Sequence, residues 1–260
     1  MRALLWDIDG TLTKGTGADS RALAAALHAR PAALDELRKM RLDGMTDRGI
    51  VRILLAAELG HLAESEPADG GIVHRPPEEA RRLAALPIEQ RMSEVREGEI
   101  EAVIAAYLVS LERECAVGSF GTQPGVGALI PLLDGRPGVL LGLCTGNHAR
   151  GAELKLTCVG LWKHFRFGGY GSDAEHRPDL VRAGWRRAQA LGATEGLVID
   201  DTPRGILAAH QAGLPACGVA TGRYSTHDLG VHGAEVVVDS FADLERSLSL
   251  LLGPVARRAG

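Results

Sequence analysis

The amino-terminal end of the chain carries a short, nearly unbroken run of apolar residues. Residues 3–8 are apolar except for Asp7, and Asp9 and Gly10 follow directly. A run of this length that ends in acids and glycine is typical of a buried parallel strand with polar groups at its carboxyl end. The sequence therefore predicts a first strand that ends in carboxylates.

The pattern changes to helical spacing between residue 18 and about residue 114. Alanine, leucine, arginine and glutamate recur there at helical intervals, which predicts an all-helical region that includes helices over residues 20–28, 47–59 and 99–113. Residues 64–77 are rich in glycine, proline and acids, which predicts a loop between helices. This region separates the first strand from the rest of the chain.

Helices and strands alternate from Gly125 onward. The pattern predicts helices over residues 125–133, 149–159, 178–191 and 203–212, strands over 139–144, 165–167, 196–199, 216–219 and 235–238, and a closing helix. Such alternation is typical of a parallel sheet. The predicted fold class is α/β, with a Rossmann-like doubly wound parallel sheet over residues 1–14 plus 119–260 and an inserted all-helical domain over residues 15–118.

Composition narrows the possible partners and compartment. The formal net charge is −4 with acids and bases interspersed, which leaves no basic stripe for a nucleic-acid backbone. The first apolar run is too short for a signal peptide, and no later run reaches membrane-spanning length. The four cysteines form no C-x-x-C pair, which argues against a disulfide framework or a zinc site. We expect a cytoplasmic protein with no nucleic-acid or membrane partner.

Polar residues gather where the predicted strands end, which is where open α/β sheets bind ligands. They are Asp7, Asp9, Gly10 and Thr11 after the first strand, Thr145, Gly146 and Asn147 after the strand over 139–144, Arg177 before the helix over 178–191, and Asp200 and Asp201 after the strand over 196–199. Carboxylates at adjoining strand ends repel one another unless a cation neutralises them, and an oxygen-only ligand set suits Mg²⁺. The hydroxyl and the guanidinium at the same edge suit a phosphoryl group.

These motifs resemble those of the haloacid dehalogenase superfamily. The segment Asp7-Ile8-Asp9-Gly10-Thr11-Leu12 looks like its first motif, and the second, third and fourth motifs are matched by Thr145, by Arg177 and by Asp200-Asp201. Gly44-Met45-Thr46-Asp47 resembles a segment in the helical cap of phosphoglycolate-phosphatase-like members. The resemblance implies that the inserted helical domain is a cap and that Thr46 and Asp47 lie in a specificity loop.

The resemblance also implies a role for each motif residue. Asp7 attacks phosphorus and becomes an aspartyl-phosphate, and Asp9 protonates the leaving alcohol and then activates water. Asp7, the backbone carbonyl of Asp9, and Asp201 are implied ligands of Mg²⁺, with Asp200 in support. The remaining residues contact the phosphoryl group: Thr145 and Arg177 by hydrogen bond and charge, and Gly10, Thr11, Gly146 and Asn147 as a phosphate cradle.

Three positions leave alternatives open. Members often carry lysine where Arg177 stands, and Lys155 is a rival for that role, although its place in a helix suggests an exposed side chain. Neighbouring residues of an extended chain point in opposite directions, so only one of Asp200 and Asp201 faces the metal unless the strand has ended. Gly205 occupies a position where members often have a second acid.

The sequence thus predicts a Mg²⁺-dependent phosphomonoester hydrolase that acts on a small phosphorylated metabolite, as a monomer or homodimer. A sugar phosphomutase with the same core is an alternative that inspection of the cap does not separate. A receiver-like or non-hydrolysing phospho-ligand-binding module is a second alternative. A receiver domain places its paired acids and its acceptor in a different order and needs no inserted helical region.

Overall fold

The computed structural model of the protein describes residues 1–61 and 75–254. The chain forms two compact units. The first contains residues 1–16, 43–46 and 115–260, and the second contains residues 17–42 and 47–114. Most of the predicted loop over residues 64–77 lies outside the described residues.

The first unit is built on a parallel sheet of six strands within the described part of the chain. In chain order these strands are β1 (Arg2–Trp6), β4 (Val139–Thr145), β5 (Phe167–Tyr170), β6 (Glu195–Asp200), β7 (Ala216–Val219) and β8 (Val236–Val238). The order across the sheet is β5-β4-β1-β6-β7-β8, so the chain winds outward from β1 in both directions. A separate antiparallel pair flanks the inserted region, with β2 (Thr13–Gly15) before it and β3 (Phe120–Thr122) after it.

Helices cover both faces of this sheet. They are α7 (Val126–Asp134), α8 (Ala149–Cys158), α9 (Arg177–Ala190), α10 (Pro203–Gln211), α11 (Thr226–Val231) and α12 (Leu244–Leu252), with a single 3₁₀ turn at Trp162–His164. Successive residues of β1 point to opposite faces, so Leu4 and Trp6 pack in one apolar cluster with α7, α8 and α12, whereas Ala3 and Leu5 pack in another with α9, α10 and α11. The predicted Rossmann-like α/β class is confirmed.

The second unit contains helices and no strands within its described residues. Its helices are α1 (Ala18–Ala26), α2 (Pro31–Lys39), α3 (Asp47–Leu59), α4 (Pro77–Ala84), α5 (Ile88–Glu94) and α6 (Glu97–Ala116), the last of which runs two residues past the end of the unit. A buried carboxylate on α3, Glu58, accepts a hydrogen bond from the backbone N–H of Ala33 at 3.0 Å and so satisfies one of the unpaired donors in the first turn of α2.

Several predicted element boundaries differ from the observed ones. The first strand ends at Trp6 rather than at residue 8, because the backbone turns at the acids that follow. The strand expected over residues 165–167 is β5, at Phe167–Tyr170. The small β2–β3 pair was not predicted, because its three-residue strands carry no alternation long enough to detect.

A helix that crosses a membrane has to be both long and apolar. None of the helices in the described residues combines the two to the degree that a membrane span needs.

Candidate active site

The site lies at the carboxyl ends of β1, β4 and β6, the central strands of the sheet. The backbone N–H of Asp7 donates to the carbonyl of Ile199 at 2.9 Å, which extends the pairing of β1 and β6 by one residue. Asp7 is buried, and its Oδ1 accepts a hydrogen bond from the backbone N–H of Ile8 at 2.8 Å. The nucleophile predicted from the sequence is therefore held rigidly at the sheet edge.

Three buried carboxylates converge there. Asp7, Asp200 and Asp201 each place a carboxylate oxygen within 4.8 Å of the others, and no other such group of metal-binding side chains occurs in the described residues. β6 ends at Asp200, so the extended alternation stops and Asp201 also turns toward Asp7. The sequence left open whether both acids face the site, and in the structure both do.

Two hydroxyls and one amide fix the pair of acids. Asp200 Oδ1 accepts hydrogen bonds from the N–H and the hydroxyl of Thr202, at 2.9 and 2.7 Å. Asp201 Oδ1 accepts one from the hydroxyl of Thr11 at 3.0 Å. Thr202 also caps α10, because its hydroxyl accepts from the N–H of Gly205 at 3.1 Å. Uncharged donors therefore hold one oxygen of each carboxylate, Asp200 Oδ1 and Asp201 Oδ1.

Arg177 is the cation of the cluster. It begins α9, is buried, and uses one nitrogen, Nη2, to donate to Asp7 Oδ2 at 2.8 Å and to Asp200 Oδ2 at 2.5 Å. Burial disfavours the charged form of Arg177, but the two carboxylates outweigh burial and raise its pKa. The guanidinium is permanently charged and bridges two of the three acids.

Negative charge still exceeds positive charge in this cluster. Burial raises the pKa of Asp7 to about 6, with Asp200 and Asp9 adding to the rise and Arg177 opposing it. Burial, together with Asp200 and Asp7, also raises the pKa of Asp201 well above its ordinary value. A divalent cation among these oxygens would reverse both effects. The donor set of three carboxylates therefore fits a divalent cation such as Mg²⁺, and Asp7, Asp200 and Asp201 are the side chains that would hold it.

The carboxylate of Asp9 is not part of this cluster. Its Oδ2 accepts hydrogen bonds from Lys155 Nζ and from Asn147 Nδ2, each at 2.7 Å. These two donors hold the carboxylate away from the three converging acids. The role predicted for the backbone carbonyl of Asp9 as a metal ligand stays a prediction.

The interpretation of Lys155 as an exposed helix residue was wrong. Its side chain is 1% exposed, on the face of α8 that also buries Ala152 and Leu156. The helical periodicity indicates that Lys155 is buried, because it lies three positions after Ala152 and next to Leu156 on the apolar face of the helix. Exposure was predicted because lysine side chains usually lie at the surface.

The turn after β4 presents Thr145, Gly146 and Asn147. Thr145 is fully buried, and its hydroxyl oxygen accepts hydrogen bonds from the backbone N–H and the side-chain amide of Asn147, at 3.3 and 2.9 Å. Gly146 is required by a close approach, because a Cβ there would lie 2.0 Å from the carbonyl oxygen of Met45. The hydroxyl of Thr145 retains its proton for an acceptor, as the predicted role requires.

Two of the predicted phosphate ligands are engaged elsewhere. The N–H of Gly10 donates to the carbonyl of Thr13 at 2.9 Å, and a Cβ on Gly10, whose φ is 86°, would lie 2.2 Å from Asp201 Oδ2. Thr11 is fully buried with its hydroxyl on Asp201. Their direct part in phosphate binding stays a prediction, and in the structure both residues support Asp201.

The carbonyl of Gly10 has partners that the sequence did not identify. Gln123 Nε2 donates to it at 3.1 Å, and the hydroxyl of Thr221 donates at 2.6 Å. Neither residue stands in a motif or at a predicted strand end next to the acids, so no sequence signal pointed to them. They fix the turn that carries Asp7 and Asp9.

Thr46 and Asp47, the predicted specificity residues, belong to different units. Thr46 is buried in the first unit, where its hydroxyl donates to the carbonyl of Glu175 at 2.9 Å. Asp47 begins α3 in the second unit. Their part in substrate selection stays a prediction.

Comparison with known proteins shows what this chain is similar to. A family model described as haloacid dehalogenase-like hydrolase matches residues 1–213. The curated "Probable phosphatase IndB" of Dickeya dadantii (strain 3937) is 28% identical over 222 residues, which covers 81% of this chain and 92% of that protein.

Solved structures share the fold across nearly the whole chain. A hydrolase from Pseudomonas syringae has a TM-score of 0.65 at 20% identity and covers 96% of this chain and 99% of its own. CbbY from Rhodobacter sphaeroides, solved in complex with phosphate, has a TM-score of 0.57 at 21% identity and covers 93% and 95%. At these identities the likeness concerns the fold alone.

Proposed function

This chain belongs to the haloacid dehalogenase-like hydrolase family, and from that premise we propose that it is a Mg²⁺-dependent phosphatase of a small phosphorylated metabolite. The observation that carries the proposal is the convergence of Asp7, Asp200 and Asp201 around a single position, with Arg177 bonded to two of them. The curated relative named as a phosphatase supports the same activity.

In the proposed reaction the carboxylate of Asp7 attacks phosphorus. A bond forms between an Asp7 oxygen and phosphorus, the bond to the substrate alcohol breaks, and Asp9 gives its proton to the departing oxygen. Water then attacks the aspartyl-phosphate while Asp9 takes a proton from it, and phosphate leaves as the Asp7 carboxylate returns. Protons and bonds balance over the two steps.

The neighbouring groups stabilise charge and orientation. Arg177 offsets negative charge on Asp7 and on the transferred group, and the hydroxyl of Thr145 donates to a phosphoryl oxygen. Asp7, Asp201 and Asp200 would hold Mg²⁺, which would supply positive charge beside the anionic substrate and the anionic nucleophile. Burial, which raises the pKa of Asp7 to about 6 without the cation, keeps water away from these interactions.

We assign the first compact unit as the catalytic core and the second as the cap that selects the substrate. The proposal includes a reducing, cytoplasmic setting, which agrees with the lack of a disulfide among the four cysteines, all of which lie in the described residues. Thr46 and Asp47 are the residues proposed to contribute to selection.

A panel of phosphorylated metabolites tests the activity. Phosphoglycolate, sugar phosphates and nucleotides are incubated with the protein with and without Mg²⁺, and both inorganic phosphate and isomerised sugar phosphate are measured. We expect release of phosphate that depends on Mg²⁺. Isomerisation without release would favour the phosphomutase, and a phosphorylated protein that does not turn over would favour a receiver-like module.

The nucleophile is tested by Asp7→Asn with Asp239→Asn as the matched control. Asp239 is an exposed aspartate, so its change removes one negative charge without touching the site. Asp7→Asn should abolish hydrolysis. It should also abolish the acyl phosphate that an acid quench traps on the peptide containing residue 7. Asp239→Asn should keep both. Full activity of a folded Asp7→Asn protein would refute the proposal.

A further inference from the structure

Lys155 is a buried cation that the proposed reaction does not use. Its ammonium donates to Asp9 Oδ2 at 2.7 Å and to Asn147 Oδ1 at 2.6 Å, and it lies 5.7 Å from the centre of the Phe120 ring. Burying an ammonium group is unfavourable unless its partners compensate, and an apolar side chain of the same length would fill this space without that penalty. Packing alone therefore does not explain why a charged residue occupies this position.

The three polar side chains form a closed ring of hydrogen bonds. Lys155 donates to Asn147 Oδ1, Asn147 Nδ2 donates to Asp9 Oδ2, and Lys155 donates to the same Asp9 oxygen. Lysine is only a donor, so the amide oxygen of Asn147 has to face it. Lys155 thereby sets the orientation of the amide, whose NH₂ group faces Asp9 and the hydroxyl oxygen of Thr145.

The two carboxylate oxygens of Asp9 differ in their surroundings. Oδ2 accepts both strong hydrogen bonds from this ring, whereas Oδ1 has one long contact, 3.5 Å from the hydroxyl of Thr13. The side chain of Asp9 is 43% exposed, although the ammonium that holds it is buried. Oδ2 is therefore held by protein side chains, and Oδ1 is available to a ligand.

We propose that Lys155 is a positioning residue for proton transfer: together with Asn147 it anchors Oδ2 of Asp9, so that Oδ1 is the oxygen that exchanges a proton with the leaving group. The inference rests on the proposed phosphatase activity. Proton transfer is sensitive to small errors in placement, so an Asp9 side chain free to rotate would protonate the leaving oxygen poorly. Arg177 keeps the role of offsetting charge at Asp7, and Lys155 acts through Asn147 and Asp9.

The test compares two substrates that differ in their need for a proton. Phenyl phosphate and 4-nitrophenyl phosphate have similar shapes, but nitrophenolate departs readily without protonation and phenolate does not. The kcat/KM of each substrate is measured with Mg²⁺ for the wild type, Lys155→Met and Asp9→Asn. This parameter reports the steps up to release of the phenol and is not affected by the later hydrolysis of the aspartyl-phosphate.

Lys155→Met should lower kcat/KM for phenyl phosphate by on the order of 100-fold, the lower end of what acid catalysis contributes, and that for 4-nitrophenyl phosphate by less than about tenfold. Asp9→Asn should show the same preference, and adding Lys155→Met to it should change the ratio no further. Lys163→Met, which removes an exposed lysine of the same unit, should leave both values within about twofold of the wild type.

Thermal unfolding of each variant separates loss of structure from loss of positioning. A folded Lys155→Met protein that loses equal activity toward both substrates, or none, overturns the inference. If Lys155→Met does not fold, Lys155→Gln, which keeps a donor but no charge, is measured in its place and should shift the ratio in the same direction. A wild type that hydrolyses neither substrate would contradict the proposed function instead.

Discussion

A methyl group on Gly205 would lie 1.9 Å from the carboxylate carbon of Asp200. The side chain of Asp200 thus occupies the space that a side chain at position 205 would need. Asp200 and Asp201 stand next to each other in sequence and both face Asp7. The adjacent pair provides the two carboxylates from one turn, and the glycine in the helix makes room for them.

We expect Gly205→Ala to weaken Mg²⁺ binding and to destabilise the protein by roughly 1–3 kcal/mol, because the new Cβ overlaps Asp200. Mg²⁺ affinity by titration calorimetry and the unfolding midpoint are the measurements. Gly127→Ala is the control, since its Cβ would meet nothing closer than Thr122 Oγ1 at 3.7 Å. Gly127→Ala should be neutral or stabilising by roughly 0.5–1 kcal/mol. Equal behaviour of the two variants would contradict the steric explanation.

Asp201→Asn should remove most of the stabilisation that Mg²⁺ gives while leaving the metal-free protein as stable as the wild type or more so. Burial and the nearby acids raise the pKa of Asp201, so its charge is unfavourable without a cation, and asparagine can still accept from Thr11. Each kcal/mol corresponds to roughly 2–4 °C in the unfolding midpoint. Differential scanning calorimetry with and without Mg²⁺ checks this, and a large destabilisation of the metal-free variant would argue against it.

In the metal-free protein, the contribution of Asp7 to stability should fall as pH rises from about 4 to about 6. The pKa of Asp7 is raised from 3.8 to about 6, so in this window the unfolded chain releases a proton that the folded chain retains. The corresponding loss of unfolding free energy is on the order of 3 kcal/mol, complete above the folded pKa and absent below the unfolded one.

The contribution of Asp7 is isolated as the difference between the wild type and Asp7→Asn in urea unfolding at each pH. Other acids, among them Asp173 beside Arg187, have lowered pKa values and contribute in the opposite direction in both proteins. Saturating Mg²⁺ should remove the difference in slope. A difference that does not depend on pH would contradict the raised pKa.

Arg177→Lys should retain activity to within about tenfold, and Arg177→Met should lower kcat/KM by about 10²–10³-fold. One nitrogen of Arg177 makes both contacts, to Asp7 and to Asp200, so the single ammonium group of a lysine can donate to the same two carboxylates. Arg177→Met should also destabilise the protein by roughly 3–5 kcal/mol, because two buried carboxylates lose their partner. Arg186→Met, an exposed position on the same helix, serves as the control. A lysine variant as inactive as the methionine variant would show that guanidinium geometry is essential.

Much of the fold was predictable because its signals are local. The apolar run before Asp7 is a buried strand for the reason its pattern indicated, and α3 and β7 begin and end where the sequence predicts. The convergence of Asp200 on Asp7 was not predictable, since it depends on β6 ending at one residue rather than the next. Strand boundaries of this kind are set by tertiary contacts that the local pattern does not contain.

The buried ring around Asp9 shows a different limit. Helical phase placed Lys155 on the apolar face of α8, but lysine is so rarely buried that its residue type outweighed its position. Only the fold brings Asn147 and Asp9 close enough to compensate its charge. A charged residue on an apolar stripe is therefore worth testing against the motifs that the fold brings near it.

The segment Asp43–Thr46 has a consequence for how this architecture can be altered. The chain passes between the compact units after residues 16, 42, 46 and 114, so the helical unit is not one continuous segment of the sequence. Exchanging residues 17–114 for the corresponding region of a relative would also replace the tetrapeptide whose Thr46 bonds Glu175 and whose Met45 carbonyl packs on Gly146. A chimera joined after residues 16 and 114 therefore also receives the relative's tetrapeptide, and this tetrapeptide has to fit the first unit of this protein.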